Sequence, residues 1–165
     1  DYYYEYSPRE LQKDSFRKHI SVSRETGLPV IIHSRNADKD TADLLRSEYE
    51  KGSFPGVIHC FNGSKEVAQA ALDGGLFISL AGIVTFKNAN SLRDTVKGLP
   101  TNRLLVETDA PFLAPVPQRG RRNEPSFVKY TADFAARLLE LDSQKFAIQT
   151  SENFIGLFRR VSDFL

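Results

Sequence analysis

Four short apolar runs, each followed by a stretch with helical spacing, constrain this chain more than any other feature. They lie at about 29–33, 56–60, 76–80 and 103–107. Each has the length of a strand buried on both faces and is too short for a helix. Strands alternating with helices at this spacing predict an α/β fold with a mainly parallel sheet. Consecutive parallel strands are expected to be joined by right-handed crossovers.

The segments between the runs carry their own signals. Ser7-Pro8-Arg9-Glu10 reads as a helix start, with Ser7 as N-cap, Pro8 in the first helical position and Glu10 closing a capping box. Leu11, Phe16, Ile20 and Val22 give an imperfect helical stripe, and Gly27 supplies the stop. A second helix is expected at about 37–50, ending before Gly52. Ser64 caps a short third helix that closes on Gly74-Gly75, and a fourth is expected near 89–97. Pro125 can start a helix running to about 140, and Ser143–Leu165 reads as helical with a break near Thr150.

What ends the strands points to chemistry. The first run ends on His33, the second on His59, and Leu104-Leu105-Val106-Glu107-Thr108 leads to Asp109. In α/β architectures, ligands and catalysis gather at the C-terminal ends of the strands. Imidazole and carboxylate are ligands of catalytic divalent metals. One histidine at a strand end is more often a structural residue than a ligand. Two histidines and an aspartate in equivalent positions favour a metal site. Asp109 alone, before Ala110-Pro111, could equally cap a loop. His19 falls within the first helix and carries no assigned function. Cys60, next to His59, is expected to point to the opposite face of its strand, into the core.

The long loop at 109–124 is rich in Pro, Gly and Arg. Arg119, Arg121 and Arg122 would usually be solvated. Following Asp109 at a strand end, they instead stand where a phosphate would approach, and guanidinium forks suit phosphate. Arg35 and Lys87 admit the same two readings. Asn123 and Glu124 fit a role in anchoring the loop. Thr85 and Phe86 could touch a base or simply pack.

A net charge of +1 identifies no partner, so nucleic-acid contact must come from a local patch. No apolar stretch reaches membrane-spanning length, and no membrane partner is expected. A single cysteine excludes an internal disulfide and fits a reducing cytosol, so a cytoplasmic location is the expectation. The sequence contains no methionine and opens on Asp1-Tyr2-Tyr3-Tyr4. Four strands are too few for a closed barrel, which needs eight strands and roughly 250 residues, and an open parallel sheet leaves two exposed edges. The expectation is a single domain over 1–165 that forms the C-terminal part of a larger barrel.

Five blocks converge on a family. PVIIHSR at 29–35, HCFNGS at 59–64, SLAGIVTFKNA at 79–89, LLVETDAPFLAP at 104–115 and RGRRNEP at 119–125 closely resemble the TatD-type metal-dependent deoxyribonucleases. The resemblance runs over essentially the whole chain, in the family's order. It implies a partial TIM barrel of the metal-dependent-hydrolase type. It also implies hydrolysis of phosphodiester bonds at DNA ends, single-stranded ends in particular, with two divalent ions: Mg²⁺ first, Zn²⁺ or Mn²⁺ as alternatives. By the same resemblance His33, His59 and Asp109 match three metal ligands. His33 and His59 would hold one ion, while Asp109 would bind the other and accept a proton from the attacking water. Arg35, Lys87, Arg119, Arg121 and Arg122 would grip substrate phosphates.

The resemblance also implies ligands this sequence lacks: a His-x-His pair on a first strand, and a glutamate four positions before the residue matching Asp1. The isolated chain is accordingly expected to have little nuclease activity. Two alternatives stand beside this reading. One is an ester or amide hydrolase on the same scaffold, such as a deacylase of mischarged tRNA. The other is a metal-poor remnant acting only as a binding module.

Overall fold

A computed structural model describes residues 1–4 and 6–164 of the chain. Its sheet has four strands: β1 (Val30–Ile32), β2 (Gly56–Ile58), β3 (Phe77–Leu80) and β4 (Leu104–Val106). Their spatial order is their chain order, and all three pairings are parallel. Ile32 pairs with Ile58, Ile58 with Ile78, and Ile78 with Leu104. Every expected strand is present, somewhat shorter than its apolar run.

The six α-helices are α1 (Arg9–Thr26), α2 (Asp38–Tyr49), α3 (Lys65–Asp73), α4 (Asn90–Val96), α5 (Val128–Leu138) and α6 (Ser143–Leu157). Side-chain alternation along the strands separates two surfaces. Ile32, Ile58, Ile78, Leu80 and Leu104 join Ile20, Leu45, Val67, Val96 and Ala135 from the helices in one buried core. Val57 and Leu105, on the other face, form a small second cluster with Phe77, Leu157 and Phe158. The helices pack mainly on one face, only the end of α6 reaching the other, and the strands advance in one direction, as in a barrel-type sheet. A doubly wound fold would reverse its strand order at a switch point and place helices on both faces.

Several local signals act as read. Ser64 accepts a hydrogen bond from the Val67 N–H. Gly27 takes the left-handed conformation (φ 69°) that ends α1, and its N–H donates to the Ser23 carbonyl.

Others are corrected. The capping box at Ser7 does not form: Pro8, at ψ 139°, is itself the extended N-cap, and α1 begins one residue later. Glu10 pairs instead with Lys13 at 2.6 Å. Of the α1 stripe, Ile20 is fully buried, whereas Leu11 and Val22 are 61% and 56% exposed. No break occurs near Thr150. α6 runs through it to Leu157, followed by a 3₁₀ turn over Arg159–Phe164, and Leu165 lies outside the described residues. Buried Asn153 explains this continuity, since its Nδ2 donates to the carbonyls of Thr101 (2.9 Å) and Leu104 (2.7 Å). Those bonds clamp the helix to the start of β4. No helix among the described residues is long and apolar enough to cross a membrane.

Candidate metal centre

The parallel ladder extends past the strands and delivers their terminal side chains to one place. The His59 N–H donates to the Ile32 carbonyl at 2.9 Å, and the Glu107 N–H to the Leu80 carbonyl at 3.0 Å. Alternation therefore puts His59 on the face of Val57, and Glu107 on the face of Leu105, away from the helix-covered core. His59 Nδ1 lies 2.7 Å from Glu107 Oε1, and Nε2 lies 3.5 Å from Asp109 Oδ1. One donor atom from each of His59, Glu107 and Asp109 falls within 4.8 Å of the other two.

These distances give the histidine an orientation. Glu107 accepts from Nδ1–H and so leaves Nε2 facing Asp109, the arrangement by which a carboxylate fixes the tautomer of a ligating imidazole. Two ligands about 2.1 Å from a tetrahedral ion stand ~3.4 Å apart, close to the His59–Asp109 spacing. The donor set therefore fits a divalent cation. The hydrogen bond to Glu107, helped by the charges of Glu107 and Asp109, raises the pKa of His59 against the effect of burial. Burial by itself would raise Glu107. Hydrogen bonds from His59, Ser79 and the Cys60 backbone outweigh that and hold it below the usual carboxylate value.

His33 stands beside this cluster, with its ring centroid 6.0 Å from that of His59. Its Nε2 hydrogen-bonds Asp1 Oδ2 at 2.8 Å, and it lies outside the three-donor group. Partial burial, with the nearby His59, holds its pKa below the ordinary histidine value. Cys60 does not continue the strand into the core. Its φ of 46° is left-handed, and it is only partly buried. Burial pushes its thiol up to about 12, so it offers no thiolate at neutral pH.

The loop after β4 is built to hold Asp109. Asp109 takes φ 57°, a left-handed conformation that Asp tolerates better than most residues. Asn123 is buried, and its Nδ2 donates to the carbonyls of Thr108 (2.7 Å) and Phe112 (2.6 Å). Its own N–H donates to the Pro111 carbonyl and its Oδ1 accepts from the Glu124 N–H. The far end of the arginine loop is thereby tied to the backbone on both sides of Asp109. Thr85 is buried and structural: its Oγ1 donates to the Gly82 carbonyl and accepts from the Val116 N–H. A Cβ on Gly82 would lie 2.1 Å from the Leu113 carbonyl oxygen, so only glycine permits this contact between the β3 and β4 loops.

The five basic residues fare differently. The side chains of Arg121 and Arg122 are exposed and make no hydrogen bond or ion pair among the described residues. Lys87 is exposed at the mouth of the β3 loop. Arg119 is engaged in packing, its guanidinium carbon 3.7 Å from the Phe86 ring centroid and its Nη1 donating to the Ala114 carbonyl. Arg35 lies over the Tyr3 ring at 3.6 Å. Glu107 is the residue that sequence reasoning missed. Its signal was present: two positions before Asp109, past an apolar strand, it projects on the site's face.

Fold and site together define a parallel α/β chain of barrel type with side chains that could hold a metal ion gathered at its strand ends. The family model for TatD-related DNases matches residues 1–159, and the chain belongs to that family. It is 45% identical over 159 residues to the uncharacterized metal-dependent hydrolase YabD of Bacillus subtilis, covering 96% of this chain and 62% of that protein. It is 35% identical over 164 residues to the 3'-5' ssDNA/RNA exonuclease TatD of Enterobacter lignolyticus, again covering 96% of this chain and 62% of the relative. Among solved structures, the TatD homologue YJJV of Escherichia coli superposes with a TM-score of 0.80 at 28% identity. That match covers 91% of this chain and 57% of the other. The chain thus spans about three fifths of the length of these relatives.

Proposed function

We propose that this chain carries the catalytic face of a divalent-metal-dependent phosphodiesterase that removes nucleotides from single-stranded DNA ends. The observation that carries this reading is the convergence of His59, Glu107 and Asp109 at the start of a loop on which Arg121 and Arg122 make no side-chain hydrogen bond or ion pair among the described residues. The names of the relatives, metal-dependent hydrolase and ssDNA/RNA exonuclease, point the same way.

His59 and Asp109 would hold a cation, with Mg²⁺ the first candidate and Mn²⁺ or Zn²⁺ the alternatives. His33, on the neighbouring strand, would contribute to a second ion only by giving up its bond to Asp1. When bound, such ions neutralise phosphoryl oxygens and lower the pKa of a coordinated water. Glu107 orients His59. Asp109 accepts the proton of the attacking water. Arg121 and Arg122, with Lys87 from the adjacent loop, bind phosphates of the strand end. Arg35 and Arg119 reach phosphate only by sharing guanidiniums already engaged with aromatic rings. The chain's location and native metal follow the same reading: a cytoplasmic enzyme using the abundant Mg²⁺.

The test is to assay a version extended to the length of its relatives, beside the isolated chain, on single-stranded DNA, duplex DNA and a carboxylic ester with each of the three metals; the extended version should carry the activity and the isolated chain little of it. Mononucleotide release from single strands, abolished by a chelator and in Asp109→Ala, is the expected result. Ester turnover without DNA cleavage would overturn the reading in favour of a deacylase.

The arginines yield a separate prediction. Gln118–Glu124 contains no large apolar side chain, so charge removal there costs little folding energy. Arg121→Ala and Arg122→Ala should weaken oligonucleotide binding while leaving Tm nearly unchanged. Each lost phosphate contact should also flatten the slope of log K against log salt by about 0.7. A salt dependence identical to that of the unaltered protein would remove both residues from the phosphate site.

A further inference from the structure

The first residues of the chain carry aromatic rings that nothing in the metal centre uses. Tyr2 is committed to the fold: its hydroxyl donates to Asp40 Oδ2 at 2.7 Å, and Arg9 lies 4.4 Å over its ring. The next three tyrosines differ. Tyr3, Tyr4 and Tyr6 are 51%, 54% and 90% exposed. The rings of Tyr4 and Tyr6 are stacked, 5.3 Å between centroids and 6° between planes. Tyr3 meets Tyr4 edge-on at 4.6 Å, and the Arg35 guanidinium carbon lies 3.6 Å from the Tyr3 centroid and 5.4 Å from that of Tyr4. Arg35 has no carboxylate partner among the described residues. One backbone and one side-chain hydrogen bond tie this group to the strand end that carries His33. The Tyr2 N–H donates to the Arg35 carbonyl at 2.9 Å, and Asp1 Oδ2 receives His33 Nε2 at 2.8 Å.

Three mutually ordered rings beside a guanidinium that has no carboxylate partner among the described residues are the components of a single-strand binding platform: π-faces on which successive bases stack, with a cation tracking the backbone. A paired base in a duplex has both faces covered by its neighbours. An unpaired base offers a free face to a ring. We infer that Tyr3, Tyr4, Tyr6 and Arg35 form a base-stacking subsite for unpaired nucleotides of a strand whose end lies at His33 and His59. This inference rests on the nucleic-acid reading of the site. It adds that single-strand preference arises from these rings and is tolerant of sequence.

The experiment measures binding of a fluorescently labelled oligodeoxythymidylate, and of an abasic oligomer of equal length and charge, to the chain in EDTA. Tyr4→Ala and Tyr6→Ala should each weaken oligodeoxythymidylate binding about tenfold, while Tyr6→Phe, which keeps the ring, should bind as the unaltered chain does. The abasic oligomer should bind the unaltered chain no better than the thymidylate binds the alanine variants. Both alanine changes fall on exposed rings, so an unchanged melting curve is expected and separates lost stacking from lost folding. If the unaltered chain binds both oligomers equally, or the alanine variants bind thymidylate undiminished, the platform is overturned and the nucleic-acid reading survives. If neither oligomer binds the unaltered chain, both fall.

Discussion

In a version extended to the length of its relatives, Asp109→Ala should lower metal-dependent hydrolysis on the order of a thousandfold while leaving the fold intact. Asp109 stands beyond β4 in a left-handed conformation, 3.5 Å from His59 Nε2, with its backbone held by the loop around it. Its side chain takes part in no core packing, so truncation opens no cavity. It removes the carboxylate 3.5 Å from His59 Nε2, the proposed acceptor of the water's proton. Asp109→Asn keeps the shape and loses the charge. It should therefore fall nearly as far in kcat, while circular dichroism and Tm match those of the unaltered protein. A loss below tenfold in both variants would remove Asp109 from the chemistry.

The second large effect lies one layer out. Asn123→Leu should cost about 2–4 kcal/mol of stability, a fall of roughly 5–15 °C in Tm, and should also depress activity. Asn123 is 3% exposed and satisfies three backbone groups with its side chain: the carbonyls of Thr108 and Phe112 and the N–H of Glu124. Leucine fills a similar volume and leaves all three unpaired in a site from which water is largely excluded. Thr108 immediately precedes Asp109, so the same substitution loosens the carboxylate's position. Differential scanning calorimetry combined with kcat would show both losses. A stable but inactive Asn123→Leu protein would mean that the residue acts on substrate and is not a clamp.

These two residues mark where the sequence was legible and where it was not. The four strands could be read because their runs are continuously apolar: Ile32, Ile58, Ile78 and Leu104 line the core and Val57 and Leu105 the second cluster, although Ile31 of β1 is 62% exposed. The helix signals at Ser64 and Gly27 could be read because they act over a few residues. His59 and Asp109 followed from topology alone, since parallel strands present their ends on one side. Contacts made across the fold were not legible. The polar stretch around Thr150 suggested a break, yet Asn153 uses its amide on the start of β4. Arg119 read as a free cation, yet it lies on Phe86 across two loops. Cys60 was placed by extrapolating strand alternation two residues past Ile58, where the backbone has already turned to a positive φ. Glu107 was legible by the same alternation, lying two positions before Asp109 on the face of Leu105.

The most direct test of the metal centre is a Mn²⁺ titration followed by the electron paramagnetic resonance of the free ion, comparing the unaltered protein with Glu107→Gln and Asp109→Asn. If Glu107 orients His59 toward a cation shared with Asp109, Glu107→Gln should weaken binding about 10–100-fold, and Asp109→Asn should weaken it at least as much. Equal Mn²⁺ affinity in all three proteins would contradict a cation at His59, Glu107 and Asp109.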